Sequence, residues 1–194
     1  MNINYKRTVL VGFAFFLICA FWQAYDNVIP LILSYYYGLN QTLSGLIMAL
    51  DNILALFMLP LFGSLSDKSG GKFGRRTPFI VIGTICAVFS FIFVPIISEN
   101  SVWLFIVVLL LSLISMSVFR SPAVALMPDV TCKPHRSKGN AVINLMGAAG
   151  GIIVLVFGII FKTGEVGKTD FFLYILATCA LMIAALIVFL LSVK

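Results

Sequence analysis

The chain's apolar residues fall into six runs, each long enough to cross a bilayer, and its charged residues fall almost entirely between them. A membrane helix needs about 20 apolar residues, so six of them consume on the order of 120 positions. In 194 residues that leaves only short connections. Hydrophobic residues make up 61% of the chain and charged ones 10%. A soluble domain with one core is excluded on those numbers. Hydropathy places the spans at 8–34, 42–65, 78–98, 102–127, 139–161 and 171–192, so the expected fold is an all-α membrane bundle of six transmembrane helices. Lys6 and Arg7 precede the first run, as they would in a signal peptide. That run continues past any small-residue cleavage site toward Leu33 and reads as a retained helix.

The loops alternate in charge. Lys6 and Arg7, then Lys68, Lys72, Arg75 and Arg76, then Lys133, Arg136 and Lys138, and finally Lys194 fall on one side. Only Lys162 and Lys168 fall on the other, offset by Glu165 and Asp170. Basic loops stay inside, so both termini are expected in the cytoplasm, with the plasma (bacterial inner) membrane as the location. The same clustering removes a nucleic-acid partner, because the basic residues orient spans instead of forming a phosphate-tracking face. Cys19, Cys86, Cys132 and Cys179 show no close pairing and His135 stands alone, so neither a disulfide framework nor a metal site is implied. No cofactor is implied either, and no H-E-x-x-H or G-x-S-x-G motif points to an enzyme.

Three charges lie inside spans: Asp26 in the first, Asp51 in the second and Arg120 in the fourth. Each costs at least about 2.5–3.5 kcal/mol near the centre of a membrane helix, so each must face the bundle interior, a wet cavity or a partner. By helix rise the two acids lie at about 12–14 Å depth and can share one layer. A carboxylate there can load and unload a proton. The competing reading is that one acid pairs with Arg120 and pins the helices, but two acids against one arginine leave an acid over. Asp51, Asp26 and Arg120 are therefore the expected proton-coupling residues.

Around Asp26, the run Trp22-Gln23-Ala24-Tyr25-Asp26-Asn27 is polar for a span. Trp22, Gln23, Asp26 and Asn27 occupy neighbouring positions on one helix face. Amides and a carboxylate match sugar hydroxyls and an indole suits the C–H side of a pyranose, so Trp22, Gln23 and Asn27 are the expected substrate contacts. Interhelical packing is the alternative. Pro30 follows Asp26 and Pro122 follows Arg120, in corresponding places if the six spans divide into a 3+3 inverted repeat, and interruptions of spans 1 and 4 are expected there. Gly147 and Gly151 form a GxxxG pair on one stripe with Asn140 and Asn144, read as a packing face or, in a self-associating six-helix protein without transport activity, a dimer face. Ser112, Ser115 and Ser117 are expected to bond their own helix backbone. Tyr35, Tyr36 and Tyr37 read as an interfacial belt.

Between spans 2 and 3 the chain reads Gly63-Ser64-Leu65-Ser66-Asp67-Lys68-Ser69-Gly70-Gly71-Lys72-Phe73-Gly74-Arg75-Arg76-Thr77-Pro78-Phe79. This resembles the major facilitator superfamily signature G-x-L-[AS]-D-[RK]-x-G-R-[RK], lengthened by four residues. The ending F-G-R-R-x-P-F resembles sucrose and proton-associated sugar carriers and, more distantly, the glycoside–pentoside–hexuronide:cation symporters. The segment from Arg120-Ser121-Pro122 through Pro128-Asp129, then Arg136 to Ala141, also resembles the sucrose-carrier branch. The resemblance implies the amino-terminal bundle of a twelve-helix secondary transporter for a sucrose-like disaccharide or glucoside, moved with protons, with a second six-helix half on the same or another chain as its partner. Independently of the likeness, Asp67, Lys68, Arg75 and Arg76 make a dense charge cluster that Asp129 can join, so Gly63, Asp67, Lys68, Gly74, Arg75, Arg76 and Asp129 are the expected gating residues, the alternative being that the cluster only fixes orientation. Against the cation symporters, Asp51 aligns with one helix 2 acid, the second falls on Ala55 and the helix 4 acid falls on Arg120. Hard cations want several oxygen ligands, so a proton is expected in place of sodium, with a sodium-coupled glycoside symporter as the alternative.

Overall fold

A computed structural model describes residues 5–70, 74–99, 101–130, 136–163 and 170–192. Lys72, Cys132, Lys133, His135, Glu165 and Lys168 lie outside them. The described residues form seven helices: α1 (Tyr5–Tyr37), α2 (Gln41–Met48), α3 (Leu50–Lys68), α4 (Thr77–Ile97), α5 (Val102–Val130), α6 (Arg136–Ile160) and α7 (Phe171–Ser192). Six stretches are long and apolar enough to cross a membrane, α2 and α3 together making the second. The protein is an all-α integral membrane bundle.

Why the chain turns where it does is local chemistry. Gly38, at φ +60°, takes the left-handed conformation that ends α1, and Asn40 then caps α2 by accepting from the Leu43 amide at 2.9 Å. Asp170 does the same for α7, accepting from the Leu173 amide at 3.0 Å. Gly74, at φ +89°, turns the chain into α4, which carries a proline in its first turn. At the end of α6 the left-handed position falls to Lys162, with φ 53°. Its amide bonds Ile159 O and the next amide bonds Gly158 O, closing the paired Schellman turn on a residue with a side chain.

Helix α1 is the hub. Its Ala14, Leu17, Phe21, Ala24, Val28 and Ile32 are buried in the core, at spacings of three and four that keep them on one face. It packs mainly on α6 and α7, while α5 packs on α3 and α4, and the contacts of α1 with α5 and α4 with α7 close the ring. Exchanging the first three spans for the last three turns the α1–α6 pair into α3–α5 and the α1–α7 pair into α4–α5, and leaves α1–α5 and α4–α7 unchanged, as a 3+3 repeat requires. Outward-facing Leu56, Phe57, Ile82, Leu145 and Ile159 suit hydrocarbon in the way a soluble surface would not.

One expectation is corrected. Pro30 and Pro122 sit inside continuous helices, because losing one amide donor need not break a helix whose neighbours hold it. The interruption lies in span 2, at Ala49, where the Asn52 amide bonds Ala49 O in a tightened turn. Asp51 and Asn52 follow at once, linked side chain to side chain at 2.9 Å, residues that compete with the helical ladder and favour a first turn. The glycine stripe of α6 packs inside the bundle, the first of the two readings given for it. A Cβ on Gly147 would meet Cys19 Sγ at 2.9 Å, and one on Gly150 would meet the Phe16 carbonyl oxygen at 2.7 Å. Backbone-to-backbone contact of this kind is what small residues give membrane helices. Ser112, Ser115 and Ser117 donate to Val108, Leu111 and Leu113 carbonyls of their own helix, as expected.

Gly150→Ala therefore forces α1 and α6 apart. It should lower the thermal midpoint of the purified protein by an amount corresponding to about 1–3 kcal/mol of overpacking. Gly45→Ala, which meets nothing within 4 Å, should leave the midpoint unchanged.

Candidate functional site

The face of α1 opposite its core stripe carries Cys19, Trp22, Gln23, Asp26 and Asn27, at the three- and four-residue intervals of one helix side. Burial grades along it: Trp22, Gln23 and Asn27 are half-buried and Asp26 is exposed. Helix α5 brings Arg120 against this face. The guanidinium carbon lies 5.1 Å from the centre of the Trp22 ring, a cation–π contact. Its charge also reaches Cys19, one turn earlier. Trp22 is held edge-on by Phe21 and Tyr25, at 5.9 and 5.4 Å between ring centres. The Trp22 Nε1–H and the Tyr25 hydroxyl are both buried with no hydrogen-bond partner among the described residues. Unpaired donors are costly in a dry interior, and a site that receives polar guests is one place where they persist.

Asp51 lies near enough for its charge to reach Asp26, and both acids reach the Tyr25 hydroxyl. Asp51 is half-buried and takes a hydrogen bond from Asn52. Among the described residues neither acid forms an ion pair with Arg120, which spends its charge on the indole. The Asp–Arg pin is thus not formed.

Beyond Asp26 the stripe opens into a cavity of about 580 Å³ between α1 and α6, lined by Asp26, Asn27, Pro30, Gly158, Lys162 and Thr163 among others. That volume lies within the roughly 300–1,000 Å³ of small-molecule sites. The left-handed turn at Lys162 is what puts a cation and a hydroxyl on the cavity wall. Asn27 Nδ2 donates to the Tyr174 hydroxyl at 3.3 Å, and Gln23 Nε2 donates to Asn27 Oδ1 at 3.3 Å.

A second cluster gathers at the basic end of the bundle. Arg76, at the start of α4, holds two acids at once: its Nη2 is 2.9 Å from Asp67 on α3 and its Nε is 2.6 Å from Asp129 on α5. The planar guanidinium fork suits such double engagement, which a lysine cannot copy. Gly63 stands one turn before Asp67, where a Cβ would meet Ser121 Oγ at 2.9 Å, and Ser121 in turn donates to the Leu59 carbonyl at 2.8 Å. Of the residues expected to gate, Asp67, Arg76 and Asp129 are brought together, Gly63 packs instead on Ser121 and Gly74 serves the turn into α4, while Lys68 and Arg75 are exposed and form no ion pair with another described residue. Ser121, Lys162 and Tyr174 were not singled out from the sequence. A tyrosine inside an apolar run is itself a signal, since its hydroxyl needs a partner.

By class this is an integral membrane bundle: six stretches long and apolar enough to cross a bilayer, around a helix face of polar and charged groups. The chain belongs to the Major Facilitator Superfamily, whose sequence profile matches residues 11–194. Sucrose transport protein SUC3 of Arabidopsis thaliana is 27% identical over 151 residues, covering 68% of this chain and 24% of that relative. The chain spans about a quarter of the length of that transporter.

The Arg120–Trp22 contact is directly readable. The chain has two tryptophans, and Trp103 is highly exposed. In a Trp103→Phe background, Arg120→Gln should change the intensity of Trp22 emission, whereas Arg75→Gln should not. Identical spectra would contradict the stacking.

Proposed function

We propose that this bundle is one half of a proton-coupled sugar transporter, working with a second six-helix half on the same or another chain. One observation carries the reading. In a bundle otherwise apolar, a single face of α1 collects a carboxylate, two amides and an indole, meets Asp51 and Arg120 from two other helices, and opens into a cavity sized for a small molecule. Sugars are recognised by such a mix of acceptors, donors and an aromatic ring. The sequence likeness to a sucrose transport protein supports a disaccharide or glucoside as cargo.

In this reading Gln23, Asn27 and Asp26 bind sugar hydroxyls. Trp22 and Arg120 form a joint donor platform, since one face of the indole is already covered by the guanidinium. Asp51, near Asp26 and free of any arginine, carries the coupled proton. A proton suits the pair better than sodium, because a hard cation wants several oxygen ligands and the positions expected to supply more of them are Ala55 and Arg120. The Asp67–Arg76–Asp129 bridge ties the ends of α3, α4 and α5 through a mostly buried guanidinium and two exposed carboxylates, and it acts as a latch that opens when the acids part from Arg76. Loop charge supports a cytoplasmic location for that latch and for both termini, with the plasma membrane as the setting.

Asp51→Asn in the complete carrier should abolish uphill, pH-driven uptake while sparing counterflow exchange. Undiminished accumulation would reject the assignment. Gln23→Leu and Asn27→Leu should each raise the KM for sugar about tenfold, the cost of a lost hydrogen bond to a buried partner, with kcat largely retained. An unaltered KM at normal expression would remove those amides from the site.

A further inference from the structure

The hydrogen bonds around Tyr174 have a direction, and it propagates. Tyr174 is fully buried on α7, outside the polar face of α1. Its hydroxyl lies 3.5 Å from the Val154 carbonyl on α6, a group that can only accept, so the single phenolic hydrogen is committed there. The phenolic oxygen is then left to accept, and it takes the Asn27 Nδ2 hydrogen at 3.3 Å. That orientation turns Asn27 Oδ1 toward Gln23, whose Nε2 donates to it at 3.3 Å. Gln23 Oε1 is the end of the chain: it lies against Gly151, where a Cβ would be 3.6 Å away, and no described residue donates to it.

We propose that Tyr174 is a positioning residue that sets the hydrogen-bond polarity of the sugar site, locking Gln23 so that it presents an acceptor and the sugar hydroxyl it meets must donate. An amide side chain is otherwise ambivalent, since a half-turn exchanges its oxygen for its nitrogen. The lock removes that ambivalence by reference to a backbone carbonyl two helices away. With the Asp26 carboxylate beside it, Gln23 gives this stretch of α1 two acceptors, while Arg120 and, on the cavity wall, Lys162 are the cations. The inference rests on the sugar reading above, and specifies which groups of the sugar each side of the site can take.

The test uses the complete carrier in proteoliposomes and counterflow of labelled sucrose, competed by sucrose and by analogues in which single hydroxyls are replaced by hydrogen or by fluorine. Fluorine cannot donate. In the unaltered carrier, at the hydroxyl that meets Gln23, the deoxy and deoxyfluoro sugars should both compete about tenfold less well than sucrose. Tyr174→Phe keeps the ring and frees Asn27, so Gln23 can turn its NH₂ outward. The deoxyfluoro penalty at that one position should then shrink roughly fivefold relative to the deoxy penalty, with the exchange rate at saturating sucrose unchanged. Asn27→Leu cuts the same chain one link further along and should erase the same discrimination, and the two changes together should erase no more than either alone. A fluorine penalty that Tyr174→Phe and Asn27→Leu leave intact overturns the proposal, and so does an equal loss of affinity for every sugar, which marks a merely structural tyrosine. A carrier that exchanges no sucrose and is competed by none of the analogues overturns the sugar reading itself, an outcome separate from either.

Discussion

Hydrocarbon offers no partner to a polar atom, and this bundle is organised around the helix that carries most of them. One face of α1 is fully buried among α5, α6 and α7. The adjoining face bears the indole, the two amides and the carboxylate. A helix with a greasy side and a polar side cannot stand in lipid alone. Helix α6 approaches it through glycines until backbones touch, α7 supplies a hydroxyl, and α5 supplies the guanidinium. Each neighbour therefore does two things at once, covering apolar surface and answering a polar group.

The charges are answered in two different ways at the two ends of the bundle. At the basic end Arg76 grips Asp67 and Asp129 directly. At membrane depth Arg120 is given an aromatic face instead of an acid, leaving Asp26 and Asp51 without an arginine partner among the described residues. A site that fully neutralised its own charges would have little left to offer a proton or a sugar. A latch, by contrast, needs the pairing. The difference between the clusters follows from what each is proposed to do, and it is built from the same residue types.

The spans were legible in the sequence because hydropathy integrates over about 20 residues and errors average out. The meeting of Asp67, Arg76 and Asp129 was legible because a motif held them. The break at Ala49 was not: two prolines near charged residues pointed elsewhere, while the cause was the local chemistry of Asp51 and Asn52. Ser121 and Tyr174 were missed for a different reason. Their partners, Leu59 and Asn27, lie 62 and 147 positions away, and no periodicity connects them. Nor could the sequence tell that Arg120 would choose an indole over two carboxylates, since all three lay within plausible reach.

The central claim is that the polar face of α1 meets water and substrate while its opposite face is dry. Single cysteines placed along α1 in a carrier freed of its own four cysteines, and exposed to a membrane-impermeant thiol reagent, test this directly. Labelling should follow positions 22, 23, 26 and 27, slow in the presence of sucrose, and be absent at 24 and 28. Labelling that ignores this stripe, or that falls on the 24 and 28 side, would contradict the account.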